Sequence, residues 1–275
     1  MKSAPSDLEQ RVIRIESADD PRISAYRNIR EKDLVGRSER FIAEGKVVLN
    51  VLFSSSGFEA ESALILENRL AGLENQLGLC PPHVPIYCVS REIMDEIAGF
   101  PMHRGILAVG RRIDPETVES LLDQMPDRAL VTVLCGISNH DNMGSIFRNA
   151  AAFEADCVLL DETCCDPLYR KAIRVSVGAT LQVPYAFGGS IDEIVSSLSQ
   201  RGFEIAALSP FGAQSIYDAQ PHDRLALLLG TEGEGLPKPL LSRLHTVRIP
   251  MSTRFDSLNV ATASGIALSR FSRFR

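Results

Sequence analysis

The chain has 275 residues and a formal net charge of −6, with 45% hydrophobic and 23% charged residues. This composition is typical of a globular protein and excludes a disordered one, while the longest apolar runs fall far short of the ~20 residues that a membrane-spanning helix needs. Because the net charge is negative, we do not expect indiscriminate binding of nucleic acid, although basic segments at 21–46 and 248–275 favour selective contact with phosphates.

The N-terminal segment and the cysteines indicate the cellular compartment. The first twenty residues carry charges of both signs and no apolar core, so they do not look like a secretory signal. The six cysteines include no C-x-x-C pair, which favours reduced thiols over disulfides or a metal site. We therefore expect a cytoplasmic protein that contacts no membrane and uses no metal.

The first part of the chain is predicted to form a flexible tail at 1–20 and then a small α/β unit at 21–112. The unit begins with a helical pattern at 38–53, after which apolar segments alternate with further helical patterns. The apolar segments are 62–66, 84–89 and 105–109, and the further helical patterns are 70–77 and 91–97.

Basic residues at the start of this unit suggest a surface for RNA. Tyr26 precedes Arg27, Arg30 and Arg37, and an aromatic ring among cations can stack on bases while the cations contact phosphates. The alternative is an ordinary solvated segment that leads into the first helix. We predict that Arg27, Arg30 and Arg37 bind an RNA substrate.

Strands and helices alternate regularly after a charged, proline-containing linker at 113–128. The segment 129–275 is predicted to be a second α/β domain, because near-continuous apolar strands separated by helices are typical of a parallel sheet covered on both faces. The predicted strands are 130–135, 157–160, 183–187, 203–208, 225–230 and 246–249, with helices at 144–154, 169–177 and 191–198, a short one after 237 and a final one after 256.

In parallel sheets ligands bind beyond the carboxyl ends of the strands, where this chain has a glycine-rich turn at 230–235. Its G-x-x-G-x-G spacing argues against a dinucleotide site, and its carboxylates, Glu232 and Glu234, would repel a pyrophosphate. An anionic glycine turn instead suits a ligand that has no phosphates and carries a positive charge, such as S-adenosylmethionine. A plain turn between a strand and a helix is the alternative.

A second loop at a strand end carries Asn142, Gly144 and Arg148 with the spacing N-x-G-x-x-x-R. This spacing places Arg148 one turn into a helix predicted to begin near Gly144 and directs the side chain back toward the loop. A guanidinium there can bind a phosphate or polarise a hydroxyl, whereas an exposed surface arginine is the alternative. His140 is a lesser candidate, because a single histidine in a loop is more often incidental.

A third loop leads into the final helix. Asp256 or Ser257 is predicted to cap this helix, and the apolar positions that follow favour packing on a buried surface. Ser257 and Asn259 would then offer a hydroxyl and an amide to a ligand, beside the free N–H groups of the helix start. A capped helix with no further role is the alternative.

Together these motifs resemble the TrmH/SpoU branch of the SPOUT methyltransferases, which methylate ribose 2′-hydroxyls of tRNA or rRNA. The N-terminal unit resembles the L30e-like substrate domain of that family. The resemblance implies a parallel sheet with a C-terminal trefoil knot that holds S-adenosylmethionine, and a homodimer whose active site borrows residues across the interface. The matching motifs are 142–148, 174–179, 230–235, 249–251 and 257–260, with 103–108 in the N-terminal unit.

The resemblance also implies roles for individual residues. Gly230, Ile249 and Leu258 would present backbone groups to the adenosine, with Thr231, Gly235 and Met251 beside them. The polar catalytic site would consist of Asn142, Arg148, Glu232, Ser257 and Asn259. The chain departs from the usual family pattern at 139–140, at Thr231 and at Arg104, which leaves the identity of the substrate open.

The sequence thus predicts an S-adenosylmethionine-dependent RNA 2′-O-ribose methyltransferase that transfers the methyl group in line, without a metal. A non-catalytic RNA-binding protein that keeps the fold is the main alternative, but such a protein would be expected to have lost one of the polar site residues, and none is lost. A nucleotide-dependent oxidoreductase would need a phosphate-binding loop near the first strand, which the sequence lacks.

Overall fold

The computed structural model describes residues 11–27, 29, 40–252 and 254–272. These residues form two compact units, and the chain passes from one unit to the other three times. The first unit contains the described part of Met1–Asp114 together with Leu168–Leu181, and the second contains Pro115–Pro167 and the described part of Gln182–Arg275. The ranges of the tail, linker and domains given above remain predictions.

The described part of the chain contains twelve strands and nine α-helices. The strands are β1 (Val12–Arg14), β2 (Arg40–Glu44), β3 (Phe58–Leu66), β4 (Ile86–Val89), β5 (Ile106–Arg112), β6 (Ala129–Leu134), β7 (Cys157–Leu160), β8 (Tyr185–Phe187), β9 (Glu204–Leu208), β10 (Gln214–Ser215), β11 (Arg224–Leu229) and β12 (His245–Arg248). The helices are α1 (Lys46–Ser54), α2 (Glu74–Gly78), α3 (Arg91–Ala98), α4 (Val118–Asp123), α5 (His140–Ala152), α6 (Arg170–Val175), α7 (Ile191–Gln200), α8 (Lys238–Leu241) and α9 (Val260–Phe271). Short 3-10 turns lie at Pro21–Tyr26, Glu67–Gly72 and Ala179–Leu181.

The first unit is built on a five-stranded mixed sheet with the order β1-β4-β3-β5-β2. β1, β4 and β3 are parallel, whereas β5 is antiparallel to both β3 and β2. Helix α6 packs near β2. The predicted α/β character of this unit is therefore confirmed, but its resemblance to an L30e-like domain remains a prediction.

The prediction of a single helix at 38–53 is wrong for the first half of that range. Residues Arg40–Glu44 form strand β2, and the helix α1 begins only at Lys46. Gly45 separates the two elements with a φ of 97°, a backbone conformation that side-chain-bearing residues rarely adopt and that ends the strand. The apolar residues of 38–53 therefore belong to two elements, a strand and a helix.

Two other expectations for this unit are corrected. Tyr26 is fully buried, its hydroxyl lies 2.8 Å from the Ser62 hydroxyl and accepts a hydrogen bond from the Val109 N–H, and burial raises its pKa well above the usual range. It is a core residue that cannot stack on a base. The predicted tail at 1–20 includes β1, whose pairing with β4 gives that part of the segment a fixed place at the edge of the sheet.

The second unit contains a seven-stranded, entirely parallel sheet with the order β10-β12-β9-β11-β6-β7-β8. The central strands β6 and β11 are buried almost throughout, as their uninterrupted apolar sequences predict. The predicted parallel-sheet fold is confirmed, and the trefoil knot remains a prediction. Only the two-residue edge strand β10 is too short to leave a pattern in the sequence.

No helix among the described residues has the length and apolar character that crossing a membrane would require.

Candidate functional site

The three polar loops open at one edge of the parallel sheet. β6 and β11 are adjacent, and β9 lies between β11 and β12. Because parallel strands end at the same edge, the loops that follow β6, β11 and β12 are neighbours there. The carboxyl edge of the sheet is therefore the candidate site, as the sequence predicts.

Asn139 fixes the start of helix α5. Its side-chain oxygen accepts hydrogen bonds from the N–H groups of Asp141 at 2.8 Å and Asn142 at 3.4 Å. The helix begins at His140, so the predicted start near Gly144 is wrong. An asparagine is among the best N-cap residues, which explains how this chain keeps the helix start while departing from the family pattern at 139–140.

Asn259 fixes the start of helix α9, and the predicted capping by Asp256 or Ser257 is wrong. The side-chain oxygen of Asn259 accepts hydrogen bonds from the N–H groups of Ala261 at 2.9 Å and Thr262 at 3.2 Å. The helix therefore begins at Val260. Since the oxygen of the amide serves the cap, its NH2 group is left to point into the site.

Asn142, Glu232 and Asn259 form an amide–carboxylate triad at the carboxyl edge. The Asn142 side-chain NH2 donates to Glu232 Oε1, and the Asn259 NH2 donates to the same oxygen at 2.8 Å and to Asn142 Oδ1 at 2.9 Å. Glu232 is exposed, and its second oxygen, Oε2, makes no hydrogen bond to another described residue. The triad thus holds one carboxylate oxygen and leaves the other available to a ligand.

The glycine-rich turn brings two stretches of backbone close together. Thr231 and Gly235 form an isolated antiparallel bridge, and the Thr231 hydroxyl donates to the Gly235 carbonyl at 3.3 Å. A Cβ on Gly230 would lie 2.5 Å from the backbone of Gly235 and Leu236, so only glycine allows this approach. Thr231, one of the positions where the chain departs from the family pattern, therefore helps to close the turn.

This turn fits S-adenosylmethionine better than a phosphate-bearing ligand. Gly230 leaves bare backbone at the carboxyl end of β11, and residues 230–236 include two carboxylates and no basic side chain. Ligands with phosphates require N–H donors or cations, whereas a sulfonium is attracted by carboxylates. The composition of the turn therefore fits a positively charged ligand better than one with phosphates.

The other residues predicted to contact the cofactor have surface available to a ligand. Ile249 and Met251 are partly exposed after β12, and Leu258 keeps 36% of its surface exposed. Ser257 is exposed, and its hydroxyl makes no hydrogen bond to another described residue. The loop between β12 and α9 thus offers apolar and hydroxyl surface beside the triad.

Arg148 is not brought to the triad within one chain. It is exposed and makes no hydrogen bond or ion pair with another described residue. Six residues separate it from Asn142 on α5, a rotation that places the two side chains about 120° apart around the helix. The expectation that Arg148 lies one turn into the helix and faces the loop is therefore wrong, because the helix begins at His140.

The predicted RNA-binding arginines fall in the first unit. Arg27 donates to the Ala18 carbonyl and forms an ion pair with Asp19 at 3.0 Å. Arg30 and Arg37 lie outside the described residues, so their role remains a prediction.

Two residues that support the site were not singled out from the sequence. The Asn149 side-chain NH2 donates to the Ala261 carbonyl at 2.7 Å and the Ser264 hydroxyl at 2.9 Å, which ties α5 to α9. Buried Asp161 accepts a hydrogen bond from the Gly136 N–H at 3.1 Å and so holds the loop after β6. Asn149 is a polar residue inside a helix, and Asp161 directly follows a buried strand. These two features of the sequence could have identified them.

Thiols near this edge are not reactive groups. Burial, followed by the nearby Asp161 carboxylate, raises the pKa of Cys135 to about 12. The same two causes raise the pKa of Cys164 well above its usual range, and this thiol donates to the Leu134 carbonyl. Both thiols are therefore protonated at neutral pH and are poor nucleophiles.

The second half of the chain matches a known protein family. The model of the SpoU rRNA Methylase family matches residues 129–269. An uncharacterized tRNA/rRNA methyltransferase of Mycobacterium tuberculosis is 38% identical over 258 residues, which cover 90% of this chain and 88% of that protein. The 23S rRNA (guanosine-2′-O-)-methyltransferase RlmB of Vibrio parahaemolyticus is 27% identical over 74% of this chain and 82% of that protein.

Solved structures agree with this family in fold. The crystal structure of an RNA 2′-O ribose methyltransferase superimposes with a TM-score of 0.77 at 26% identity, over 94% of this chain and 97% of that one. An AdoMet-bound rRNA methyltransferase from Sinorhizobium meliloti has the same TM-score and coverage at 22% identity. The family match and the close relative together show that this chain belongs to the SpoU rRNA methylase family.

Proposed function

We propose that this protein methylates a ribose 2′-hydroxyl of tRNA or rRNA. The observation that carries the proposal is the triad of Asn142, Glu232 and Asn259, which presents an unneutralised carboxylate at the carboxyl edge of the sheet. A relative named as a guanosine-2′-O-methyltransferase and a structure titled as an RNA 2′-O ribose methyltransferase support the ribose as the acceptor. A non-catalytic RNA-binding protein would have no use for three polar side chains held in this arrangement.

The methyl donor is S-adenosylmethionine. Two structures of similar fold, from Sinorhizobium meliloti and Streptomyces viridochromogenes, contain it. When bound, it supplies an electrophilic methyl group on a positively charged sulfur. The residues that we propose to hold it are Gly230, Thr231, Gly235, Ile249, Met251 and Leu258.

The ribose hydroxyl is a poor nucleophile at neutral pH and needs help from the protein. Arg148 carries a permanently protonated guanidinium, which cannot accept the proton but can donate hydrogen bonds to the hydroxyl oxygen as negative charge develops on it. The hydroxyl proton is therefore released to solvent water as the oxygen takes the methyl group and the neutral thioether leaves. We propose that Glu232 Oε2 orients the Arg148 guanidinium. Ser257 and the two amides then align the hydroxyl, and alignment alone lowers the barrier substantially.

We propose that the protein is a homodimer in which Arg148 of each subunit completes the triad of the other. Two observations support this arrangement: Arg148 is exposed without a partner among the described residues, and it points about 120° away from Asn142 around α5. An arginine kept free on the surface of a helix that starts in the site is suited to reach a neighbouring copy. The interface would be isologous, with both sites completed by the same exchange.

Mixing two impaired variants tests this arrangement. If Arg148→Ala and Glu232→Gln subunits are unfolded and refolded together, random pairing gives mixed dimers in which one of two sites has both residues, so about a quarter of all sites should regain full methyl transfer. Transfer of labelled methyl from S-adenosylmethionine to tRNA and rRNA is the measurement, with each variant refolded alone as the control. If Arg148 acts within its own chain, no mixed dimer contains a complete site and the mixture is no more active than the average of the two variants refolded alone.

Cofactor and product are tested separately. Calorimetry should detect binding of S-adenosylmethionine and no binding of NAD, since the turn repels a pyrophosphate. Sequencing-based mapping of ribose methylation in RNA from cells with and without the gene should show one or a few lost 2′-O-methyl positions. Methylation of a base in place of ribose would refute the proposed acceptor while leaving the methyltransferase assignment unchanged.

A further inference from the structure

Phe211 is the most solvent-exposed large hydrophobic side chain among the described residues, with 90% of its surface accessible. Exposing a whole phenyl ring to water is unfavourable. Single exposed apolar residues are common in proteins, so exposure alone assigns no role. The role is instead assigned from the position of the loop that carries the ring and from the hydrogen bonds that hold this loop.

The ring lies at the same edge of the sheet as the triad. Phe211 follows strand β9, and β9 is hydrogen-bonded between β11 and β12. The loop after β11 carries Glu232, and the loop after β12 leads to Ser257 and Asn259. Because all these strands are parallel, Phe211 stands at the carboxyl edge between the two loops that form the site.

The loop that carries the ring is held firmly. On one side of Phe211 the Ser209 N–H donates to the Val247 carbonyl at 3.0 Å, and on the other Arg248 Nη1 donates to the Gly212 carbonyl at 2.8 Å. Gly212 lies so close to β12 that a Cβ there would be 2.4 Å from the Val247 backbone. The exposure of the ring is therefore imposed by a fixed backbone.

The same edge offers a second aromatic ring and an unpaired cation. Phe255, in the loop between β12 and α9, is 74% exposed. Its neighbour Arg254 is exposed, and its guanidinium pairs with no other described residue. Aromatic rings beside a free arginine are the surface that unpaired nucleotides require, since the rings stack on bases and the cation contacts a phosphate.

We propose that Phe211 stacks on an unpaired base of the RNA substrate, next to the nucleotide whose ribose is methylated. The proposal rests on the proposed function, because it needs RNA at the triad. Proteins that read RNA mostly bind loops and bulges, where bases are free to stack on aromatic side chains. The substrate class is therefore a tRNA or rRNA segment in which the target nucleotide lies in or beside a single-stranded stretch.

The absence of tryptophan from the chain allows a direct test. Phe211→Trp introduces the only indole of the protein, and stacking of a base on it should quench its fluorescence when unfractionated tRNA and rRNA are added. Phe187→Trp is the matched control, because Phe187 is 38% exposed on β8, which three strands separate from β9. We expect quenching at 211 and little or none at 187.

A second variant measures how much the ring contributes. Phe211→Ala should weaken binding of the same RNA on the order of tenfold in a filter assay, since stacking on one aromatic ring contributes to that extent. The salt dependence of binding should not change, because no phosphate contact is lost. Phe211→Tyr should restore binding, and the affinity for S-adenosylmethionine should be the same in all three proteins.

The outcomes separate this proposal from the proposed function. If the wild-type protein methylates RNA but Phe211→Ala binds it equally well, or if the indole at 211 is not quenched while RNA is bound, the stacking role is refuted and the methyltransferase stands. Equal quenching at 211 and 187 would also refute it. If the wild-type protein neither binds nor methylates tRNA or rRNA, the proposed function fails and the stacking role fails with it.

Discussion

Two carboxylates of this protein, one in each unit, differ in whether their charge is compensated. Glu44 ends strand β2 of the first unit, is 4% exposed, and is bound by Arg170 Nη2 at 2.7 Å. Glu232 follows strand β11 of the second unit, is exposed, and is bound only by the neutral amides of Asn142 and Asn259 among the described residues. One negative charge is neutralised inside the fold, and the other is positioned but not neutralised.

The two arginines differ in the same way. Arg170 is 17% exposed in its side chain, pairs with Glu44 and lies over the ring of Phe100 at 5.3 Å. Arg148 is exposed and pairs with no other described residue. A buried charge must find its counter-charge within the protein, whereas a site that receives a charged ligand keeps its own charge free. Unsatisfied charge at an organised position is therefore a better sign of function than charge alone.

Removing one partner of the buried pair should have the largest effect on stability. Arg170→Met leaves the Glu44 carboxylate buried without a counter-charge, which should lower the free energy of unfolding by about 3–5 kcal/mol in a denaturant titration. The double variant Glu44→Leu with Arg170→Met removes both charges and should recover most of that loss. A loss below about 1 kcal/mol in the single variant would mean that water reaches the pair.

Arg148→Ala should have the largest effect on activity and almost none on stability. Because the side chain is exposed, its loss should leave the unfolding midpoint and the affinity for S-adenosylmethionine nearly unchanged, while turnover falls about 10²- to 10³-fold. Arg148→Lys should restore little, since lysine lacks the planar fork. Turnover close to that of the wild type in the alanine variant would exclude Arg148 from the chemistry, whereas full turnover in the lysine variant alone would show that a positive charge is enough.

Matched substitutions of the two carboxylates sharpen the comparison. Glu232→Gln keeps the size of the side chain and an oxygen that can accept both amide hydrogen bonds, so we expect stability within about 1 kcal/mol of wild type and turnover or cofactor affinity lowered about tenfold. Glu44→Gln should do the reverse, lowering stability while leaving the activity of the folded enzyme unchanged. If both variants lose activity alike, the separation of roles is wrong.

The sequence predicted the features that depend on regular patterns. Continuous apolar strands predicted the parallel sheet of the second unit, and the same sheet order brings Asn142, Glu232 and Asn259 together from distant loops. The composition of the glycine turn predicted a cationic ligand. The position of the three loops could be inferred because a parallel sheet fixes which strand ends share an edge, whatever the details of the loops. The ligand of the glycine turn stays a prediction.

The features that the sequence did not predict depend on single backbone conformations. Gly45 divides one apolar stretch into a strand and a helix, which periodicity cannot detect in so short a run. The caps at Asn139 and Asn259 displaced both predicted helix starts, because several capping residues lay within reach of each helix. Because α5 begins at His140 and not near Gly144, Arg148 does not lie one turn into the helix facing the loop.

Two variants of Asn259 test whether the triad needs its neutral amides or only the helix cap. Asn259→Ala removes the cap and two donors, and should lower stability by about 1 kcal/mol together with activity. Asn259→Asp keeps an oxygen that can accept from the Ala261 N–H, but loses the NH2 group and places a second negative charge beside Glu232. We therefore expect Asn259→Asp to keep the unfolding midpoint in calorimetry while losing methyl transfer, because two adjacent carboxylates repel each other and disturb the position of Glu232 Oε2. Wild-type turnover in the aspartate variant would show that Asn259 serves α9 alone, and Glu232 would then be held for chemistry by Asn142 without its help.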